Sequence, residues 1–270
     1  KQFVPETGQF THYHTDSVSS IYEDRTGLLW VGTQNGLKKF SKQTRQFLPD
    51  QPDADVLLQS LHDNEILAMY ADRSGVLWIG SRRGLKKLTQ ETERFLHYQT
   101  NPDDPNSLSN KEVTSIYQDR SGVLWIGTAD GVLNKRDPKT GKFSHYQVDP
   151  IEPYSQEKVR ITAIYEDQSG AFWIGTQGIS EEKRAGLKKF VRITGEFISY
   201  HTDPDDPQSL SNNNVTAICE DRSGVLWIGT FGGGLNRLDP RSGRGDTEKF
   251  IRFQHDPNDP HSLSHNSVTS

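Results

Sequence analysis

Short apolar runs alternate with long polar connections along the whole chain, and the runs return in a fixed order. Segments such as VTSIYQD (113–119), ITAIYED (161–167) and VTAICED (215–221) are bounded by turn residues and rich in β-branched and aromatic types, which predicts a strand. DRSG or DQSG follows, and predicts a tight turn in which Asp bonds its own backbone and Gly supplies a positive φ. VLWIGT and its relatives come next, apolar on both faces, which predicts a strand held between two layers. A third strand reads GLKKF, GLKKL, GVLNKR, GLKKF and GLNRL in five successive units and ends at a turn such as Asp239-Pro-Arg-Ser-Gly243. A fourth follows in FTHYHT (10–15), FLHYQT (95–100), FSHYQV (143–148) and FISYHT (197–202).

The tryptophans Trp30, Trp78, Trp125, Trp173 and Trp227 are therefore one position written five times, at spacings of 48, 47, 48 and 54 residues. Such a period means an array of small units. Four antiparallel strands per unit, with the inner ones apolar on both faces, predict an all-β fold, a β-propeller of four-stranded antiparallel blades. A helical solenoid would need amphipathic helices of about ten residues or more, and the pattern contains none. With the first strand innermost, two sets of loops open on one face: the crossings from strand four to the next strand one, and the turns between strands two and three. That face is the expected binding surface. Residues 1–270 read as a single propeller domain with about five and a half blades visible and incomplete repeats at 1–17 and 264–270. QFTHYHTD (9–16) reads as a fourth strand without its first three, and HNSVTS (265–270) starts a first strand and stops. The expectation is part of a longer protein; a six-bladed ring closed by the two ends is the alternative.

Composition narrows the function classes. A net charge of −5 lacks the basic excess of a nucleic-acid binder. No apolar run approaches the roughly 20 residues of a membrane helix, and the start, KQFVPETGQF, has no apolar signal region, so any targeting peptide has been removed or lies outside this chain. Cys219 is the single cysteine, which excludes an internal disulfide and a cysteine-cluster metal site. It shares its repeat position with Tyr22, Tyr70, Tyr117 and Tyr165, and reads as a small buried filler.

VTAICEDRSGVLWIGTFGGGLNRLDPRSG, followed by DPDDPQSLSNNNV, resembles the two-component regulator propeller repeat and its usual linker. The resemblance implies a sensor propeller, usually a seven-bladed ring and often paired with a second propeller. It also implies a periplasmic or extracellular position at the amino end of a membrane-bound histidine kinase, commonly of the hybrid type. Glycan fragments are a frequent ligand class in that family. The implied partners are thus a small-molecule ligand such as an oligosaccharide, the remainder of a longer chain or a second propeller, and in one version a homodimer. No kinase core stands in these residues, so the domain is expected to be noncatalytic and to use no cofactor.

Rotation about a propeller axis places each repeated residue at equivalent points, whereas a ligand site needs asymmetry. Candidate residues are therefore departures from the repeat. Arg82 and Arg83 stand where neighbouring units have Gln-Asn or Ala-Asp. Paired with Asp130 of the next blade they form a surface ion network; as free forks they hold a carboxylate, sulfate or uronic acid. The fourth unit inserts Gln177 to Ala185 between strands two and three, adding Glu181, Glu182, Lys183 and Arg184. Phe231, followed by three glycines, offers an aromatic platform or packs on its own blade. The aspartate-proline crossings look superficially calcium-like, but their paired prolines stiffen the segment, and they read as turns. His12, His97 and His145, on separate outer strands, read as solvated edge residues. An alternative reading is a propeller enzyme, a lyase or glycan hydrolase, with Glu181 or Glu182 opposed to Asp63 or Glu157 as acid and base. A protein-interaction scaffold is the third.

Overall fold

The computed structural model describes residues 2–4, 9–11, 13, 15–49, 61, 64–89, 94–148, 159–178, 185–238 and 249–269. The first segments are a two-stranded sheet, β1 (Gln2–Val4) and β2 (Gln9–Thr11), antiparallel with Gln2 opposite Thr11. Five four-stranded sheets follow. The first blade holds β3 (Val18–Glu23), β4 (Leu28–Thr33), β5 (Gly36–Ser41) and β6 (Gln46–Phe47). The second holds β7 (Ile66–Ala71), β8 (Leu77–Ser81), β9 (Gly84–Thr89) and β10 (Arg94–Tyr98). The third holds β11 (Val113–Gln118), β12 (Leu124–Thr128), β13 (Val132–Arg136) and β14 (Phe143–Gln147). The fourth holds β15 (Arg160–Glu166), β16 (Phe172–Gln177), β17 (Leu187–Val191) and β18 (Glu196–Tyr200). The fifth holds β19 (Val215–Glu220), β20 (Leu226–Thr230), β21 (Gly234–Leu238) and β22 (Phe250–Phe253). In each blade the strands pair antiparallel in chain order, and first strands of successive blades lie side by side, so strand one is innermost.

The second strand explains how blades stack. Its Gly leaves a gap that takes the β-branched residue opening the next blade. A Cβ built on Gly80 would stand 2.5 Å from Val113 Cγ1, and one on Gly127 2.5 Å from Ile161 Cγ2. Its Trp reaches forward: Trp125 lies 5.0 Å from Phe172 and 5.6 Å from Phe190. Four buried clusters result, each joining the Trp of one blade to strands of the next. The Leu of the S-L crossings plugs the same seams, with Leu61, Leu108 and Leu210 buried.

Strand one carries a β-bulge in every blade, between Val18 and Ser20, Ile66 and Ala68, Val113 and Ser115, Ile161 and Ala163, and Val215 and Ala217. A bulge re-aims the residue it isolates. Here the hydroxyls of Ser19, Thr114, Thr162 and Thr216 donate to the carbonyls of Ile66, Ile161, Val215 and Val268, at 2.6, 2.5, 2.6 and 2.5 Å, lacing adjacent blades at the hub. Leu67 occupies the same place in the second blade and has no hydroxyl to give.

Two expectations are corrected at the ends of the array. The strand at Gln9–Thr11 pairs with Gln2–Val4, so the element preceding the first blade has its third strand as well as its fourth. Cys219 is exposed rather than buried. Tyr117, its counterpart in the third blade, packs against the next blade's Phe172 at 5.9 Å, whereas no complete described blade follows the fifth. At the other end Val18 and Ile21 are 45% and 63% exposed, although the counterparts of Val18, from Ile66 to Val215, are fully buried.

Candidate functional site

Two rings of residues frame the hub on one face, and backbone geometry holds them together. The residue after strand two donates its N–H to the carbonyl of the residue before strand one: Gln34 to Ser17 at 3.1 Å, Arg82 to Glu65 at 3.2 Å, Ala129 to Glu112 at 3.0 Å and Phe231 to Asn214 at 2.8 Å. In the fourth blade Arg160 and Gln177 are ladder partners at the same place. The mouth therefore presents Ser17 and Gln34, Glu65 and Arg82, Glu112 and Ala129, Arg160 and Gln177, then Asn214 and Phe231.

Charge is concentrated on three of these five blades. Arg82 Nε is paired with Glu65 Oε2, and its Nη1 meets Glu112 Oε1 at 2.8 Å. Glu112 Oε1 also faces Arg160 Nη2 at 3.5 Å. The order Glu65, Arg82, Glu112, Arg160 is an alternating chain across the seams. Its bonds to Glu65 and Glu112 outweigh burial and hold the Arg82 guanidinium above its ordinary pKa, so this cation stays charged at any working pH.

The structure gives the candidate residues different fates. Arg82 is an ion-network residue, but its partners are Glu65 and Glu112, because the backbone bond aims it along the crossings; Asp130 instead accepts from Thr128 Oγ1 at 2.6 Å. Arg83 is exposed, and its carbonyl accepts a bond from His97 Nε2 at 3.0 Å. Phe231 is 54% exposed and bridges to Ser267, so it stands at the mouth instead of packing into its blade. Glu181, Glu182 and Arg184, with Lys183, lie outside the described residues, as do Asp63, Glu157 and His12. The base of their insertion is anchored on both sides: Gly178 N–H donates to Asn214 Oδ1 at 3.2 Å, and the Ala185 carbonyl accepts His201 Nδ1 at 2.8 Å.

The outer-strand histidines His97 and His145 are exposed on edge strands, as the sequence predicts, and the position is also an anchor. His145 Nε2 bonds the Ser107 carbonyl at 2.8 Å, and Arg252 in the same place bonds the Ser209 carbonyl at 2.9 Å and Ser209 Oγ at 2.6 Å. The aspartates of the crossings are spent on their own turns: Asp104 Oδ1 accepts Asn106 N–H at 2.9 Å, and Asp206 Oδ1 accepts Gln208 N–H at 2.8 Å.

Glu65, Glu112 and Arg160 were not among the candidate residues, although their place at the start of strand one holds Ser17 and Asn214 in the other blades. A comparison of that column would have found them. Sequence reasoning also passed over a switch in strand three. Asn134 and Asn236 accept the N–H of Ser109 and Ser211 at 3.0 and 2.9 Å, fixing crossings of the S-L-S-N type. Lys38, Lys86 and Lys188 hold that position under the divergent crossings. Lys188 is fully buried and its Nζ donates to Ser199 Oγ at 3.0 Å. Burial, with Arg83 nearby, pushes the Lys86 ammonium below its ordinary pKa.

The comparison with known families decides what the repeat is. The model described as "Two component regulator propeller" matches residues 13–35, 60–83, 107–130, 155–178 and 209–232. The chain carries the two-component regulator propeller repeat. Its matched segments run from the crossing through strand two to the mouth, and each of the five spans both rings in one blade. No curated protein matches the chain. Among solved structures it is similar to the extracellular domain of BT3049 from B. thetaiotaomicron, described as a hybrid two component system. Identity there is 27% and the TM-score 0.53, over 94% of this chain and 37% of that one. PorZ, a surface component of the type-IX secretion system of Porphyromonas gingivalis, shares the fold at 17% identity and TM-score 0.62, over 94% of this chain and 35% of that one. So does the computationally designed Ika8 protein, at 15% identity and TM-score 0.53, over 91% and 67%. The chain thus spans well under half the length of the two natural structures.

Proposed function

We propose that this chain is the extracytoplasmic input propeller of a two-component signalling protein and that it binds a small ligand, an oligosaccharide fragment, without transforming it. The observation that carries this reading is the convergence of departures from the repeat at one mouth. Arg82, Glu112 and Arg160 form the charged side and Phe231 an exposed aromatic platform, whereas the repeated Trp, Gly and Asp are buried in seams or folded into turns. Specificity carried by loops on a rigid scaffold suits recognition, and the resemblance to the BT3049 extracellular domain supports an extracytoplasmic place. Such an input requires the remainder of a longer chain, a second propeller or a homodimer to pass the signal on. Ring closure at seven blades belongs to the same proposal.

Titration of the 270-residue chain with a panel of oligosaccharide fragments tests it. The expected result is saturable binding of one fragment class that returns unchanged. Turnover of a bound fragment would establish an enzyme in its place. No binding across the panel, with a protein captured by the same face, would establish a scaffold.

A further inference from the structure

Three of the residues that lace the blades, Thr114, Thr162 and Thr216, also line an open cavity of about 240 Å³ among the inner strands, bounded further by Leu67 and Thr269, with Arg160 and Gln177 on its mouth side. We propose that this cavity is a subsite for a compact hydroxy-carboxylate; the proposal rests on the ligand-sensing reading and gives one of its ligands a chemical class.

The donor and acceptor inventory carries the assignment. A hydroxyl has one proton to give, and those of Thr114, Thr162 and Thr216 are committed to the carbonyls of Ile161, Val215 and Val268. Toward the cavity these oxygens can only accept. An occupant must therefore bring donors to them, which hydroxyl groups do. At the Arg160 end the requirement reverses. The guanidinium has five N–H donors in a fork, and its described ion pair, with Glu112, uses one nitrogen at 3.5 Å, on a carboxylate that Arg82 approaches more closely, at 2.8 Å. Arg160 is thus a cation with donors to spare at the end of a cavity whose other lining residues are uncharged. A carboxylate satisfies it with a charge-assisted bond, and the Gln177 amide adds a further donor. Leu67, where the repeat otherwise has a hydroxyl residue, gives one wall an apolar patch for a carbon chain. The volume lies below the roughly 300–1,000 Å³ of ordinary ligand pockets, which limits the occupant to a small molecule.

The test is calorimetric titration of the 270-residue chain with three probes: D-gluconate, which has a carboxylate and hydroxyls; acetate, a smaller carboxylate alone; and sorbitol, hydroxyls alone on a chain as long as that of D-gluconate. D-Gluconate is expected to bind, acetate more weakly, and sorbitol not at all. Arg160→Gln is expected to weaken D-gluconate about tenfold or more, Arg160→Lys to recover part of the loss, and Gln177→Ala, which leaves the Arg160 ion pair intact, to weaken it severalfold. Binding of sorbitol as tightly as D-gluconate, equal binding by a folded Arg160→Gln variant, or no binding of D-gluconate overturns the subsite. In those cases binding of an oligosaccharide fragment that depends on Arg82 and Phe231 would still uphold the sensing reading, so the two fail separately.

Discussion

Trp125 Nε1 donates to Asp119 Oδ2 at 2.8 Å, and that bond recurs in every blade. Asp24, Asp72, Asp167 and Asp221 receive Trp30, Trp78, Trp173 and Trp227 at 2.8, 2.9, 2.8 and 3.0 Å. The other oxygen serves the turn: Asp119 Oδ1 accepts the Ser121 hydroxyl at 2.6 Å and the Val123 N–H at 3.0 Å. One carboxylate thus fixes the hairpin that enters strand two and the indole that grips the next blade. This coupling of turn to seam is why Asp and Trp stand six residues apart in all five units.

Asp119 has an added partner, Arg192 of the fourth blade, whose guanidinium reaches Asp119 Oδ2 at 3.3 Å and Glu166 Oε1 at 2.9 Å. Asp119→Ala leaves the indole N–H unpaired and that cation half-matched. It is expected to destabilise the chain by about 1.5 to 3 kcal/mol, as for loss of hydrogen bonds to a charged group. Asp24→Ala, at a more exposed site with no arginine among its described partners, is expected to cost less. Urea unfolding of the two variants checks the order; equal losses would contradict the clamp.

The tryptophans are expected to differ among themselves. Trp173 is fully buried against the fifth blade, whereas Trp227 is half-buried. Trp173→Ala is expected to cost about 3 to 5 kcal/mol and Trp227→Ala about half as much. Urea midpoints at constant m-value report this directly, and a larger loss at Trp227 would place it in a seam that the structure does not show.

Acid should loosen the array at its turns. At Asp24, Asp72 and Asp119 burial raises the carboxyl pKa, but bonds from Thr26, Ser74 or Ser121 and from the indole outweigh it, and the net direction is downward. The bond from Ser223 leads the same shift at Asp221. A pKa lower in the folded than in the unfolded state means that the unfolded chain binds more protons. The stabilisation is therefore complete above the unfolded value of about 3.9 and is lost as pH falls through the folded one. Thermal melts are expected to drop from about pH 4 downward, and less so in Asp72→Asn. A melting temperature flat to about pH 2 would rule this linkage out.

The blade was legible because its physics repeats: apolar runs, turn aspartates and the Trp-x-Gly strand recur in one order, and each recurrence tests the others. The inward place of strand one was an assumption that the contacts between successive first strands bear out, and the fit of that Gly against a β-branched residue of the next blade came only with the structure. What escaped was set by distance across a seam. Arg82 was visible as a departure, yet its partners Glu65 and Glu112 stand 17 and 30 residues away, and the nearer guess, Asp130, is turned toward Thr128. Arg160 escaped because its meaning depends on a cavity made by five strands. Cys219 was misread because burial was inferred from its repeat position, while exposure depends on what stands against the blade. Phe231 was open between two readings until its neighbours were placed.

The repeated residues are scaffold, and the departures at the mouth are the proposed site. The most direct measurement is calorimetric titration of whichever oligosaccharide fragment the panel identifies against the double variant Arg82→Ala/Phe231→Ala, with its melting temperature recorded in parallel. Affinity is expected to fall about tenfold or more while stability stays within about 0.5 kcal/mol. Unchanged affinity in a stably folded double variant would contradict that site.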